Sequence, residues 1–391
     1  MTARSGVPDA DLLHDADALT RFDTLALLRS AAGAGAQWRA AVGQVRDLVA
    51  DQRSTPPERP RSVVVIGPHA VVDTALLVSL LPEPLAVPVL AAGSTPGWIG
   101  PLDVVVVLAG SDLDEESAVA VTTARRRGAW TIARGSQSGP VAQAAGPVLL
   151  VPALPTPEAL AVTARLGVLL TVAAELGLLP RVELAELAEE ADAAALTCHP
   201  RTDAFLNPAV RLADHLLGCT PLLLGTDRVG DAVAAHGVRS LGELAGVAAT
   251  SLTSTQARTN PALLAAAGQP VAAADLFADP DDDGGAVAQR VAGVLVTGWI
   301  PPSGPDPRAL ALSRAVPRAV PLEPALPELA GPGGPGQLGE RVSAALSLLV
   351  RLDFAAVYLG LAAAVAPPFD APDGLARREL WTAALGTEPA R

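Results

Sequence analysis

Twice along the chain, a short run of β-branched and aliphatic residues ends at a glycine or turn and gives way to apolar residues at helical spacing. The first series begins with Ser62–Ile66, which stops at Gly67 and is followed by a helical pattern from Val71 to Leu81. Pro88–Ala91 reads as a short strand and Asp103–Leu108 as a continuous one. Asp112–Arg127 reads as a helix whose acidic opening suits the positive end of its dipole. Ala129–Ala133 and Val148–Val151 give further strands around a short helix at Val141–Ala145, and a long helix near Pro157–Leu179 closes the series. Strands with no polar face must be covered on both sides. Strands alternating with helices therefore predict right-handed crossovers and a doubly wound parallel sheet.

The second series repeats the plan. Pro221–Gly225 and Gly293–Trp299 are predicted strands, Val229–Ala235 a helix, and the stretch from Ala248 a loop-rich crossover. Helices at Val182–Leu196 and Asn207–Leu217 connect the two halves, Asp279–Gly285 is an acidic surface turn, and Pro301–Pro307 and Gly331–Gly336 are loops. A long apolar helix spans Leu338–Val365, and helical spacing over Asp9–Asp51, with Trp38, Val42, Val45 and Leu48 on one face, leads in. A chain of 391 residues exceeds what one core usually supports. The expected division is 1–58 as N-terminal helices and linker, 59–180 as the first sheet unit and 181–391 as the second with the C-terminal helices.

Half the residues are hydrophobic but only 3% are aromatic, so the core is expected to be Ala, Val and Leu, with helices packed closely on strands. All 28 basic residues are arginine. The absence of lysine excludes Schiff-base catalysis and a phosphate-loop nucleotide site. A net charge of -13 argues against a nucleic-acid surface. Arg125, Arg126 and Arg127 form the one dense basic patch, read as a solvated helix end. Cys198 and Cys219 lack metal-ligand spacing and read as buried reduced thiols. No apolar leader with a cleavage site is visible, and the apolar segments are expected to be interrupted before the ~20 residues a bilayer requires. The expectation is a cytoplasmic protein with no membrane association, no metal and no cofactor. His199 near Asp203, and His215 beside Asp214, read as satisfied surface or helix residues. Ser111, Ser251 and Ser254 stand in no Gly-x-Ser-x-Gly elbow, and the dinucleotide fingerprint Gly-x-Gly-x-x-Gly is missing after the strand Ser62–Ile66, which leaves Gly67 alone.

Three segments carry a resemblance: Val104–Asp112 followed by Arg127-Gly128-Ala129, Gln256-Ala-Arg-Thr-Asn260-Pro261, and Arg351–Leu361 with Asp353, Tyr358 and Gly360. Together with the element order over roughly residues 35–385, they make the chain similar to the bifunctional phosphoglucose/phosphomannose isomerases of the sugar-isomerase (SIS) superfamily, including TobH-type proteins. The resemblance implies an α/β fold of two doubly wound parallel-sheet SIS-type subdomains with flanking helices, a homodimer, a sugar phosphate or related small molecule as ligand, and aldose–ketose isomerisation without a cofactor. That reaction needs a base to carry a proton between adjacent carbons, a group to help open the sugar ring, and neutral hydroxyls and N–H groups around the phosphate.

At the positions that should supply these parts, the chain departs from the family. The first phosphate-side loop reads Gly67-Pro68-His69, and Pro68 removes an N–H donor. The second reads Leu108-Ala109-Gly110-Ser111-Asp112, with Asp112 expected to cap a helix and Asp114, Glu115 and Glu116 beyond it. Gly67, His69, Gly110, Ser111, Arg258 and Asn260 are the ligand-side candidates. Thr259 falls where the family has its catalytic glutamate. Glu243, expected as a solvated residue near a helix start, is the nearest substitute base, and His236 the nearest ring-opening group. The family's arginine following the strand that ends here near Val151-Pro152 has no counterpart in Leu154–Ala159. The expectation is a scaffold that keeps the fold and has lost the catalytic set and phosphate cradle, or alternatively a non-catalytic sugar-phosphate-binding, regulatory or partner subunit.

Overall fold

The computed structural model describes residues 9–51, 55–111, 114–152, 154–180, 182–269, 290–299, 306–324 and 336–363. The chain forms two compact units, one built on Ala36–Leu179 and the other on Met1–Gly35 together with Pro180–Ala364.

Helices α1 (Ala16–Phe22), α2 (Leu27–Ala32) and α3 (Ala34–Ala50) lead in. Carboxylates start the first two: Asp15 accepts the N–H of Ala18, and Asp23 accepts those of Leu27 and Leu28. Each bond satisfies a donor that the helix itself cannot. The first sheet unit then runs β1 (Ser62–Ile66), α4 (Ala70–Leu80), β2 (Val89–Ala92), β3 (Asp103–Leu108), α5 (Glu115–Arg126), β4 (Trp130–Arg134), α6 (Pro140–Ala145), β5 (Leu149–Leu150) and α7 (Val162–Glu175). All strands are parallel in the order β2-β1-β3-β4-β5. Every residue of β1, β3 and β4 is buried, as expected of strands covered on both faces. From β1 the chain winds one way to β2, and from β3 the other way to β5. Right-handed crossovers therefore place α4 and the pair α5–α6 on opposite faces, and the winding reverses between β1 and β3.

The second unit contains α8 (Ala188–Thr197), α9 (Pro208–Leu216), β6 (Thr220–Gly225), α10 (Arg228–Ala245), β7 (Thr250–Leu252), α11 (Ser254–Ala257), α12 (Pro261–Gly268), β8 (Val291–Val296), α13 (Pro307–Ala315), β9 (Val320–Leu322) and α14 (Gly336–Ala362). The sheet order is β7-β6-β8-β9, again all parallel, so the reversal falls between β6 and β8. Both units are doubly wound, as predicted. Helix α14 packs against α8, α9 and α10 and buries Val342, Leu346, Leu349, Phe354 and Tyr358. The Tyr358 hydroxyl donates to the carbonyl of Cys198, whose thiol is buried, as is that of Cys219.

The structure corrects several sequence expectations. Helix α14 is long and apolar enough to cross a membrane by length and composition, contrary to the expectation that every apolar stretch is broken first. It lies inside the protein, with 89% of its apolar window buried. Helix α10 continues to Ala245, well past Ala235, because Leu241, Leu244 and Ala245 keep the apolar face buried. The acidic helix predicted from Val182 starts only at Ala188, as α8. The crossover after Ala248 contains β7, α11 and α12, and α13 and β9 have no counterpart in the sequence expectations. Edge strand β9 is three residues long and contains Pro321, which an edge tolerates. The predicted turn Asp279–Gly285 lies outside the described residues, as do nearly all the residues of the two predicted loops.

Candidate functional site at the two sheet reversals

In the first unit, the loop after β1 lies directly on the end of β3. Gly67 has φ +150°, and a Cβ there would sit 2.1 Å from the Leu108 carbonyl oxygen, so only glycine permits the approach. The reversal thus brings the Gly67–His69 loop to the edge where Gly110 and Ser111 follow β3. His69 immediately precedes α4 without capping it, and Ser111 is exposed.

A carboxylate already stands there. Asp114 Oδ1 accepts the N–H of Ser117 at 2.9 Å, while Oδ2 accepts the Gly110 N–H at 3.0 Å and the Ser117 hydroxyl at 2.8 Å. Asp114 is therefore the cap of α5, in place of the expected Asp112, which lies outside the described residues. The backbone donor of Gly110 is committed to a fixed negative charge.

Behind this edge lies a chain of buried charges that sequence reasoning missed. Arg165 of α7 is fully buried; its Nε reaches Asp73 of α4 at 2.9 Å, and its Nη1 reaches Glu158 Oε1 at 2.8 Å and the Glu158 carbonyl at 2.7 Å. Arg134, the last residue of β4, meets the other Glu158 oxygen at 3.0 Å. Burial opposes the Arg165 charge, but Asp73 and Glu158 outweigh it and raise its pKa above the usual arginine value. An arginine does approach the stretch after Val151-Pro152, from the following helix. Two cations and two carboxylates balance, so the group ties four elements together without presenting a net positive charge.

The second unit repeats the carboxylate arrangement. Asp227, between β6 and α10, accepts the N–H groups of Val229 at 2.9 Å and Gly230 at 3.1 Å through Oδ1. Through Oδ2 it accepts those of Gly298 at 2.7 Å and Trp299 at 3.3 Å from the loop after β8. Four donors, two from the first turn of α10 and two from the loop after β8, converge on one carboxylate, an arrangement suited to an anion at a helix start. Gly230 allows the closeness, since a Cβ there would lie 2.2 Å from the Val296 carbonyl oxygen. One turn further along, burial and then the Asp227 charge push the Asp231 carboxyl up to about 6. A cleft of ≈ 530 Å³ opens beside this point, with Asp227, Trp299, Asp306, Leu310 and Glu323 in its wall.

The remaining candidates fall elsewhere. Arg258, Thr259 and Asn260 follow α11 and are exposed; the Thr259 hydroxyl and the Asn260 amide both donate to the Gln256 carbonyl at 2.8 Å. His236 is fully buried in α10, with Nε2 at 2.7 Å from Asp353 Oδ1 of α14 and Nδ1 at 3.2 Å from Arg239 Nη2. A guanidinium can only donate, so Nδ1 is assigned as the acceptor and Nε2–H as the donor to Asp353. Ser240 donates to the same carboxylate oxygen at 2.8 Å. These bonds clasp α10 to α14 within the core. Glu243 lies in the last turn of α10, not near a helix start, and pairs with Arg239 at 2.7 Å. At 1.5 Å per residue it is about 24 Å along the axis from Asp227, so the reversal edge does not receive it.

Comparison with known proteins returned no matching family model and no matching curated protein. Solved structures do match. A hypothetical protein from Thermus thermophilus aligns with TM-score 0.60 at 15% identity, covering 97% of this chain and 99% of its own. The tagatose-6-phosphate ketose/aldose isomerase of Escherichia coli aligns with TM-score 0.57 at 11% identity, covering 87% and 94%. The C-terminal domain of glucosamine-fructose-6-phosphate aminotransferase from Francisella tularensis gives 0.52 at 10%, covering 85% and 96%. This chain has the SIS fold. At such identities the SIS likeness is one of fold, and chemistry has to be argued from the side chains at the two reversals.

Proposed function

We propose that this SIS-fold chain is a non-catalytic relative of the phosphosugar isomerases, a cytoplasmic homodimer that serves carbohydrate metabolism as a regulatory or partner subunit. The observation that carries the reading is the pair of internal carboxylates, Asp114 and Asp227, bound to backbone donors at the sheet reversals. A phosphate placed 4 Å from either would meet a like charge costing about 4 kcal/mol per unit of charge at an effective dielectric of 20. The position of Glu243 at the far end of α10 and the burial of His236 against Asp353 support the same reading, since neither group is presented to a substrate at that edge. Any sugar phosphate or related small molecule that the protein takes is therefore held without proton transfer by these two residues.

The test is a coupled assay for interconversion of fructose 6-phosphate with glucose 6-phosphate and mannose 6-phosphate, run on the wild type and on Glu243→Ala. No turnover above buffer by well-folded dimer is the expected result. Turnover that Glu243→Ala abolishes would overturn the proposal in favour of an active glucose/mannose-6-phosphate isomerase with Glu243 as its base.

A further inference from the structure

Helix α4 points its polar residues inward. Asp73, Thr74 and Ser79 are all buried, Asp73 against Arg165, while Val71, at 76% exposure, and the half-buried Val72, Ala75 and Val78 face outward. Val71, Ala75 and Val78 recur at helical spacing and form one stripe. A surface helix ordinarily carries polar residues on its outer side, so this one is built for a covered position. Strand β2, on which α4 packs, is the outer strand of the first sheet and is equally bare. Leu90 is 43% exposed, Ala91 is exposed, and no charged residue stands between Glu83 and Asp103. Sheet edges are normally blunted by shortness, proline or charge. The other edges follow that rule: β5 has two residues, β7 three, and β9 three with Pro321 among them. Strand β2 has four, all apolar.

The free side of β2 is self-complementary. The Pro88 carbonyl accepts the Val63 N–H of β1 at 2.9 Å. Backbone groups alternate in direction along a strand, so Leu90 also turns its N–H and C=O to β1, and Val89 and Ala91 turn theirs outward. A half-turn about an axis beside Leu90 and normal to the sheet sets Val89 opposite Ala91 of a second copy, and Ala91 opposite Val89. Outward donors and acceptors then meet in register, and the α4 helices fall on the same face of the joined sheet. Charge selects the same occupant: two chains of net charge -13 repel least across a surface that carries no charge.

We propose that this surface binds a second copy of the chain, the two β2 strands pairing antiparallel about Leu90 so that the two first sheets become continuous, with the α4 stripes side by side. Such a contact is isologous and closes on itself. Val89 and Ala91 form the hydrogen-bonded pairs, and Leu90 meets its own counterpart at the close, non-hydrogen-bonded position. The inference rests on the homodimer of the preceding reading and names its interface.

Sedimentation velocity of the full chain from about 1 to about 100 µM should show a monomer–dimer equilibrium. Ala91→Pro removes an outward N–H and leaves the β1–β2 ladder intact, and Val71→Glu sets like charges against each other. Each should weaken the dimer about tenfold or more, and Val119→Glu, on the exposed side of α5, should leave it unchanged. Should Ala91→Pro or Val71→Glu lose its fold by circular dichroism, Leu90→Cys decides. A non-hydrogen-bonded pair brings Cα atoms to about 4.5 Å, within disulfide reach, and the native Cys198 and Cys219 are buried. Mild oxidation should therefore give a covalent dimer of Leu90→Cys on a non-reducing gel and none of Val119→Cys. A dimer unmoved by Ala91→Pro and not cross-linked in Leu90→Cys would overturn this interface and leave the homodimer standing. A chain that stays monomeric throughout, or that pairs only with a different protein, would overturn both. Isomerase turnover would overturn the non-catalytic reading alone.

Discussion

Asp227 Oδ2 accepts the Gly298 N–H at 2.7 Å while its Oδ1 accepts the Val229 N–H at 2.9 Å, so one carboxylate joins the loop after β8 to the first turn of α10. Asp227→Ala removes the helix cap and leaves the two loop donors without their acceptor. The expected cost is about 2 kcal/mol in urea denaturation. Asp227→Asn keeps one acceptor oxygen and should cost about half as much.

The neighbouring Asp231 carries a carboxyl whose Oδ1 is buried without a partner among the described residues. Its pKa is raised from 3.8 to about 6 by burial and then by Asp227, so the folded protein holds this proton more tightly than the unfolded chain does. The resulting stability is fully present below about pH 4 and is lost as pH rises through about 6. Asp231→Asn should therefore stabilise the protein at pH 7 by about 1 kcal/mol, after discounting for partial solvent screening. It should also flatten the pH dependence of the melting temperature between about 4 and about 6.

Asp73→Ala would leave the fully buried Arg165 with Glu158 as its remaining carboxylate. Breaking a buried pair by removing one partner should cost about 3 kcal/mol, measured by chemical denaturation. The double change Asp73→Leu with Arg165→Met removes both charges and should recover most of that loss. An equal loss in the double variant would show that packing, and not charge, holds α4 to α7.

Gly67→Ala should be among the most damaging single changes. Its positive φ disfavours a side chain, and the added Cβ would press on the Leu108 carbonyl. Local shifts relieve part of this, leaving an expected loss of about 3 kcal/mol, read as a fall in melting temperature. A shift under a degree would mean that the loop after β1 can move off the end of β3.

How much could be read from the sequence depended on the range of the interactions involved. The cores of β1, β3 and β6 were legible because a strand covered on both faces must be continuously apolar, and Val104–Leu108 is. Strand β9 and helix α13 were not, since a three-residue edge strand with Pro321 has no periodicity to detect. Of the candidate residues, Gly67, His69, Gly110 and Ser111 were legible as loop residues after strands, a position that order alone supplies. Glu243 and His236 were not placed, because where α10 ends depends on packing against α14. Asp114 and Asp227 had one local signal, an Asp just ahead of a helix. That signal predicts a cap and is silent on the second loop Asp227 binds, 71 residues away. Arg165 gave no signal at all, because a buried arginine becomes tolerable only once Asp73, 92 residues distant, is folded beside it.

The sequence by itself determined that the chain is α/β, that its strands are parallel and doubly wound twice over, and that chemistry dependent on lysine is excluded. These follow from periodicity and composition, which are properties of short windows and of residue counts. Only the tertiary structure decided which side chains occupy the reversal points. It alone set the carboxylates of Asp114 and Asp227 against backbone donors and buried His236 against Asp353. Those outcomes depend on distances between residues far apart in the chain, which are fixed only when the sheets close and the helices pack.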